Sequence, residues 1–230
     1  MAIVFDTETT GLPKTKTISK DTLELWPHIV QLSFINYDAD KNTIMSSYDT
    51  IVKVDETVVI SEESIQIHGI TKEMSVEKGE EILVVFNEFF KYLERGDLIV
   101  GHNVSFDLNM VHVELLRLIY QSENLTKEVI DDLENKLKLL LTYKNIYCTM
   151  QESIELCDIK KVSKFGKTTL KWPKLIELHQ KLFDITPKNL HNSYNDILVT
   201  LRCFAKIKYD NDLMVSCDKF QTIAKTIDLY

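Results

Sequence analysis

The chain has 230 residues, 44% hydrophobic and 27% charged, with only six Gly and four Pro, which excludes collagen-like, low-complexity and linker-dominated chains. A net charge of −8 excludes a generally basic coat, so a polyanion must meet a local positive patch or a bound cation. No apolar run approaches the roughly 20 residues that span a bilayer, Asp6 interrupts the apolar start that a signal peptide needs, and Cys148, Cys157, Cys203 and Cys217 form no C-x-x-C pair or zinc-ligand cluster. A cytoplasmic or other reducing compartment with no membrane partner is therefore expected.

In chain order, Ile3 to Glu8 reads as a first strand and "HIVQLSFINYD" (28–38) as a second, with Val30, Leu32 and Phe34 expected on one face. "DADKNT" makes a turn into a third strand, "SSYDTIVKV" (46–54), and the three are expected to pair as an antiparallel meander. Ser61 is placed to cap a short helix that Gly69 ends. Ile82, Val85, Phe86, Phe89 and Leu93 recur at helical spacing within 79–95, where Gly96 stops the pattern. "DLIVGHN" (97–103) is apolar on both faces, as a central strand should be. Ser105 is the expected cap of the next helix, with Leu108, Val111, Leu115 and Leu118 on its apolar stripe. A helix is expected over 126–143, a strand over 145–149, and helices near 149–157, 172–182 and 192–207. No repeat and no composition break marks a domain boundary. The expectation is one α/β domain with a mixed five-stranded sheet flanked by helices.

The carboxylates raise a functional question. Asp6 and Glu8 fall on one face of the first strand, with Cα atoms roughly 6–7 Å apart. Two like charges there repel, and partial burial makes that worse. Either a divalent cation sits between them or both acids occupy a solvated strand end. Asp107 lies in the first turn of the helix after "LIVGHN", where it also suits the helix dipole. Asp196 lies inside a late helix, and His191 stands five residues before it. On a regular helix that spacing is a rotation of about 140°, so the two converge only if His191 precedes the helix, with Asn192 or Ser193 as its cap.

"FDTETTG", "HGIT", "GHNVSFD" and "HNSYND", in that order, resemble the DEDDh 3′–5′ exonucleases of the proofreading exonuclease superfamily, and within it the epsilon-type proofreading subunits and their stand-alone relatives. The resemblance runs from about residue 2 to 207 and implies a ribonuclease-H-like fold over 1–207, with 208–230 as an extension packed on or following that domain. It implies that Asp6, Glu8, Asp107 and Asp196 hold two Mg²⁺ or Mn²⁺ ions and that His191 is the general base. The implied reaction releases nucleoside 5′-monophosphates from a 3′ end. Thr9 and Leu12 would border the terminal nucleotide, with His68, Asn103 and Phe106 lining the same cleft; Phe106 suits the core equally well. The implied partner is nucleic acid, with DNA favoured over RNA, and a DNA polymerase alongside it. An RNA-trimming enzyme and a catalytically silent nucleic-acid-binding module are the alternatives.

"KKVSKFGKTTLKWPK" (160–174) reverses the local sign of charge, with six lysines and no acid. Lysines there, Lys164 and Lys167 among them, are candidate phosphate contacts, while Trp172 is expected in the core at helical spacing with Leu175 and Ile176. His102, His112 and His179 read as structural or exposed. The helix at 121–143 and the "KYDNDLMVSCDKFQTIAKTIDLY" terminus depart from the family pattern.

Overall fold

A computed structural model describes residues 1–162 and 166–230, so Lys164 lies outside the described residues. In chain order it contains β1 (Ala2–Thr9), β2 (Ile29–Asp38), β3 (Thr43–Ile51), α1 (Glu62–His68), α2 (Lys72–Lys78), α3 (Ile82–Leu93), β4 (Leu98–Gly101), α4 (Val104–Gln121), α5 (Lys127–Thr142), β5 (Ile146–Cys148), α6 (Thr149–Glu152), α7 (Ile154–Cys157), β6 (Lys160–Val162), β7 (Thr168–Leu170), α8 (Leu175–Phe183), α9 (Ser193–Tyr209), α10 (Leu213–Ser216) and α11 (Asp218–Thr226). The main sheet has five strands in the order β3-β2-β1-β4-β5. The first three pair antiparallel, and β4 and β5 run parallel to β1. This is the mixed five-stranded sheet that the strand pattern predicts, and the ribonuclease-H-like fold that the resemblance implies.

Alternation along β1 sorts the core into two halves. Ile3 and Phe5 face α3, α4 and α5, where Phe86, Phe89, Phe90 and Leu115 are fully buried. Ala2 and Val4 face α8, α9 and α11, among Leu178, Leu201, Phe204 and Phe220. Asp6 and Glu8 continue the second face past its apolar part. Leu213, Phe220, Ala224 and Leu229 bring the 208–230 segment into this same core. There the Arg202 guanidinium lies 3.9 Å from the Phe183 ring centre and 4.6 Å from that of Tyr230, and pairs with Asp212.

Several expectations change. Val30 leaves the face of Leu32 and Phe34 and packs with Val54, Ile60 and Ile70. A register shift opposite Glu8 and Thr9 puts an extra residue into β2, so Ile29 joins Leu32 instead; a bulge has this effect on alternation. Ser105 does not cap α4. Asn103, at φ +65°, takes that position and its carbonyl accepts from Phe106 N–H. Asn is one of the few residues that adopt this left-handed backbone readily. The 149–157 helix breaks at Ser153. β6 and β7 form a two-stranded ribbon separate from the main sheet. Trp172 is 58% exposed rather than core, because the chain is still extended there and α8 begins only at Leu175.

Ser61 caps α1 through its side chain, which accepts from Ser64 N–H, and Gly69 ends the helix at φ +76°. At Gly101, which ends β4, a Cβ would lie 2.9 Å from Val104 and 3.3 Å from the Phe5 carbonyl. Glycine there lets α4 start directly over the end of β1.

Candidate active site

The carboxylates gather at the C-terminal ends of β1 and β4. Asp6 and Glu8 project from the α9 side of β1, and one oxygen from each lies within 4.8 Å of the others in a group with Asp196 of α9. Asp107 arrives from α4 on the opposite side of the sheet. Its carboxylate lies outside that group and accepts from Thr7 N–H at 3.0 Å and Thr7 Oγ1 at 2.7 Å. Thr7 lies between the two β1 acids and points to the other face, so one dipeptide step serves both groups. Asp107 is 3% exposed, and its charge acts on Asp6 and Glu8.

Four acids share this space, so each resists ionisation. Burial is the largest cause throughout. It raises Asp6 well above the carboxylate range, with Asp107, Asp196 and Glu8 adding repulsion. Burial and then repulsion from Asp196 and Asp107 push Glu8 up to about 8. Burial takes Asp107 up to about 7 against the opposing pull of the Thr7 bonds, and Asp196 up to about 7 against the His191 N–H. These groups hold their protons more tightly folded than unfolded, so folding is favoured at low pH and weakened as pH rises. In chelator, the melting temperature is therefore expected to fall from the ordinary carboxylate range up to about pH 8, and excess Mg²⁺ is expected to reverse the fall. A flat profile in differential scanning calorimetry would show that burial and repulsion do not raise these four carboxyls.

His191 precedes α9, at φ +71°, and is exposed. Its backbone N–H reaches both Asp196 oxygens at 3.3 Å. Asn192 caps the helix, accepting from the N–H groups of Tyr194 and Asn195. A polar anchor fixes this entry onto β2: Ser193 N–H donates to Gln31 Oε1 at 3.3 Å, and the Ser193 and Ser33 hydroxyls are 2.6 Å apart. Gln31 carries no sequence signal for this role. Thr7 does, because alternation alone turns it toward the α4 face.

A cleft of about 820 Å³ opens beside Glu8, lined among others by Thr9, Leu12, His68 and Phe106. Leu12 is 81% exposed on its rim. Thr9 Oγ1 donates to the Gly11 carbonyl at 2.7 Å. His68 Nδ1 accepts from Ile70 N–H at 3.0 Å, so Nε2 carries the proton and faces the Thr9 carbonyl at 3.2 Å. Burial lowers the His68 pKa, which keeps this ring neutral. Phe106 is half-buried, touching both the cleft and the core. Asn103 is half-buried at the start of α4, and Lys167 lies just before β7.

The far wall, residues 23–29, is held by a buried pair that sequence reasoning missed. Arg117 donates to the carbonyls of Leu23, Trp26 and Pro27 and pairs with Glu114 at 2.8 Å, while Glu114 accepts from Ile29 N–H. Their spacing of three on one helix face was the available signal.

Three carboxylate oxygens within reach of one another, all costly to ionise unaided, suit a hard divalent cation.

A family model described as Exonuclease (RNase_T) matches residues 3–204. Among curated proteins, the PolC-type DNA polymerase III of Pediococcus pentosaceus is 26% identical over 133 residues, which are 57% of this chain and 8% of that protein. Among solved structures, E. coli Exonuclease I in complex with a dT13 oligonucleotide is 15% identical with a TM-score of 0.60, over 89% of this chain and 40% of that one. Cell-death related nuclease 4 (CRN-4) is 14% identical with a TM-score of 0.57, over 92% of this chain and 64% of that one. The chain thus spans less than half of Exonuclease I and a small fraction of the polymerase, and the structural likenesses bear on the fold. Among the described residues, no helix is long and apolar enough to cross a membrane. With the family model spanning nearly the whole chain, the protein belongs to the RNase_T exonuclease family, DEDD 3′–5′ exonucleases of the ribonuclease-H-like superfamily.

Proposed function

We propose that this chain is a metal-dependent 3′–5′ exonuclease that releases nucleoside 5′-monophosphates from single-stranded or frayed DNA. The observation that carries the proposal is the meeting of Asp6, Glu8 and Asp196 within 4.8 Å, with Asp107 bonded to Thr7 at the same strand ends. In this proposal Asp6, Glu8 and Asp196 would hold one Mg²⁺ or Mn²⁺ ion, and Asp107 with Asp6 would hold a second. When bound, the two ions supply charge stabilisation to the attacking and leaving oxygens of the phosphoryl group.

The protein's own groups do the rest. His191 takes the proton of the attacking water, and its N–H bond to Asp196 couples that loop to the carboxylates. Thr9 and Leu12 border the terminal nucleotide, Leu12 from its exposed position under the base. Phe106 lines the cleft, and Asn103, outside that lining, sets the start of α4. His68, tied at both nitrogens, holds the strand end at Thr9 in place. Lys164 and Lys167 hold upstream phosphates. DNA is favoured, and a DNA polymerase is the proposed partner in replication or repair, because the curated relative is a DNA polymerase.

Digestion of matched DNA and RNA strands labelled at the 5′ end, with and without Mg²⁺, tests activity, polarity and sugar preference together. A shortening ladder of labelled DNA, with mononucleotide product, is expected. Binding without cleavage in Mg²⁺ and Mn²⁺ would leave a silent binding module. Thr7→Val keeps the shape of the strand and removes one bond to Asp107, so metal affinity is expected to fall roughly tenfold. Calorimetric titration with Mn²⁺ measures this, and unchanged affinity would separate Asp107 from the metal.

A further inference from the structure

The ribbon formed by β6 and β7 stands apart from the main sheet and is exposed along both strands. Its register pairs Lys160 with Leu170, Lys161 with Thr169 and Val162 with Thr168. Residues directly across a ladder share a face, and alternate residues along a strand do the same. One face therefore carries Lys160, Val162, Thr168 and Leu170. A bond of 2.8 Å from Lys171 N–H to the Ile159 carbonyl carries the ladder one step further, which places Trp172 after Leu170 on that face. Val162 is 65% exposed, Leu170 39% and Trp172 58%. Single exposed apolar residues are ordinary; three on one face of a ribbon this short are not.

The root of the ribbon is tied to the residue that follows β4. His102 Nε2 donates to the Pro173 carbonyl at 3.0 Å, which leaves Nδ1 to accept from Thr149 Oγ1 at 2.9 Å. Burial lowers the His102 pKa to about 4, so the ring stays neutral and this tether persists at neutral pH. Lys171 pairs with Glu177 at 2.6 Å. His102 follows Gly101, the end of β4, and α4 with Asp107 in its first turn begins two residues later.

We infer that the face of Val162, Leu170 and Trp172 is a stacking platform for unpaired bases upstream of the scissile position, so that the substrate is held as a single strand. This rests on the exonuclease activity proposed above. Charge complementarity selects the occupant. A chain of net charge −8 must hold a polyanion, and 160–174 has six lysines and no acid. Lys160 and Lys161 lie on opposite faces of β6 and can meet phosphates while the apolar face meets bases, the combination that sequence-tolerant single-strand binding uses. A duplex hides its base faces and has no use for this surface.

The test compares two substrates. One is an oligodeoxynucleotide labelled at the 5′ end; the other is thymidine 5′-(p-nitrophenyl phosphate), which has no upstream base. Trp172→Ala is expected to raise KM for the oligonucleotide roughly tenfold, leaving kcat and all kinetics on the nitrophenyl ester unchanged. Trp172→Phe is expected to recover most of the loss. Fluorescence anisotropy of a labelled strand in chelator should show the same order of affinities. Equal KM and equal anisotropy for wild type and Trp172→Ala would overturn the platform. So would a loss of affinity accompanied by a change from dimer to monomer in sedimentation, which would make the face a contact between copies. A wild type inert on both substrates removes the exonuclease activity instead, and the anisotropy comparison still decides the platform.

Discussion

Asp6→Asn is expected to lower turnover by about 10³-fold or more while raising the stability of the metal-free protein. The loss follows from its place among the carboxylates. Asp6 shares the oxygen cluster with Glu8 and Asp196 and feels Asp107 most strongly among its charged neighbours, so it is the group best placed to serve both proposed ions. Removing a carboxylate that would hold the ions stabilising the transition-state charge costs orders of magnitude in rate. The stabilisation follows from the same crowding. Burial and three like-charged neighbours raise Asp6, and an amide of the same shape removes one charge from the group. In chelator at pH 8 the variant should melt above wild type. The downward slope of stability with pH should also be shallower, because the raised carboxyl of Asp6 no longer titrates. Steady-state cleavage in Mg²⁺ and calorimetry in chelator measure the two halves. A variant that is both active and less stable would make Asp6 a structural residue.

Replacement of His191 is expected to cost about 10² or more in kcat, the usual worth of a positioned general base. The choice of variant matters because His191 sits at φ +71°. Asn tolerates that backbone and Ala does not, so His191→Asn removes the base with less strain. The bond to Asp196 comes from the backbone N–H, which the variant keeps. Mn²⁺ affinity should therefore be unchanged while kcat falls, and the acidic limb of the pH–rate profile should flatten. Equal rates and an unchanged profile would remove His191 from the mechanism. Reduced metal affinity would assign it to the support of Asp196.

Local rules made part of this protein legible from its sequence. Alternation in β1 was sufficient to put Asp6 and Glu8 on one face, because side-chain direction in a strand depends only on parity. The cap at Ser61 and the stop at Gly69 follow from residues that satisfy or terminate a helix in place. The buried stripe of α3 follows from its 3.6-residue period. The five-residue gap between His191 and Asp196 required a break before α9, and Asn192 provides it. The rest depended on contacts distant in sequence. Asp107 comes from the opposite side of the sheet and is held at the strand end, outside the group of Asp6, Glu8 and Asp196, because Gly101 allows close approach and Thr7, a hundred residues away, bonds its carboxylate. The start of α9 is aimed by Gln31 and Ser33, which are unremarkable strand residues until β2 meets it. Trp172 has helical spacing to Leu175 and Ile176 yet lies exposed, because the ladder with β6 keeps the chain extended to that point. Periodicity reports the face a residue takes once its element is known. The meeting of α4, α9 and β1 at one edge came from tertiary packing, which overrides local preference where long-range contacts bury more surface than the local alternative, whereas β6 and β7 are exposed along their length and owe their form to the ladder between them.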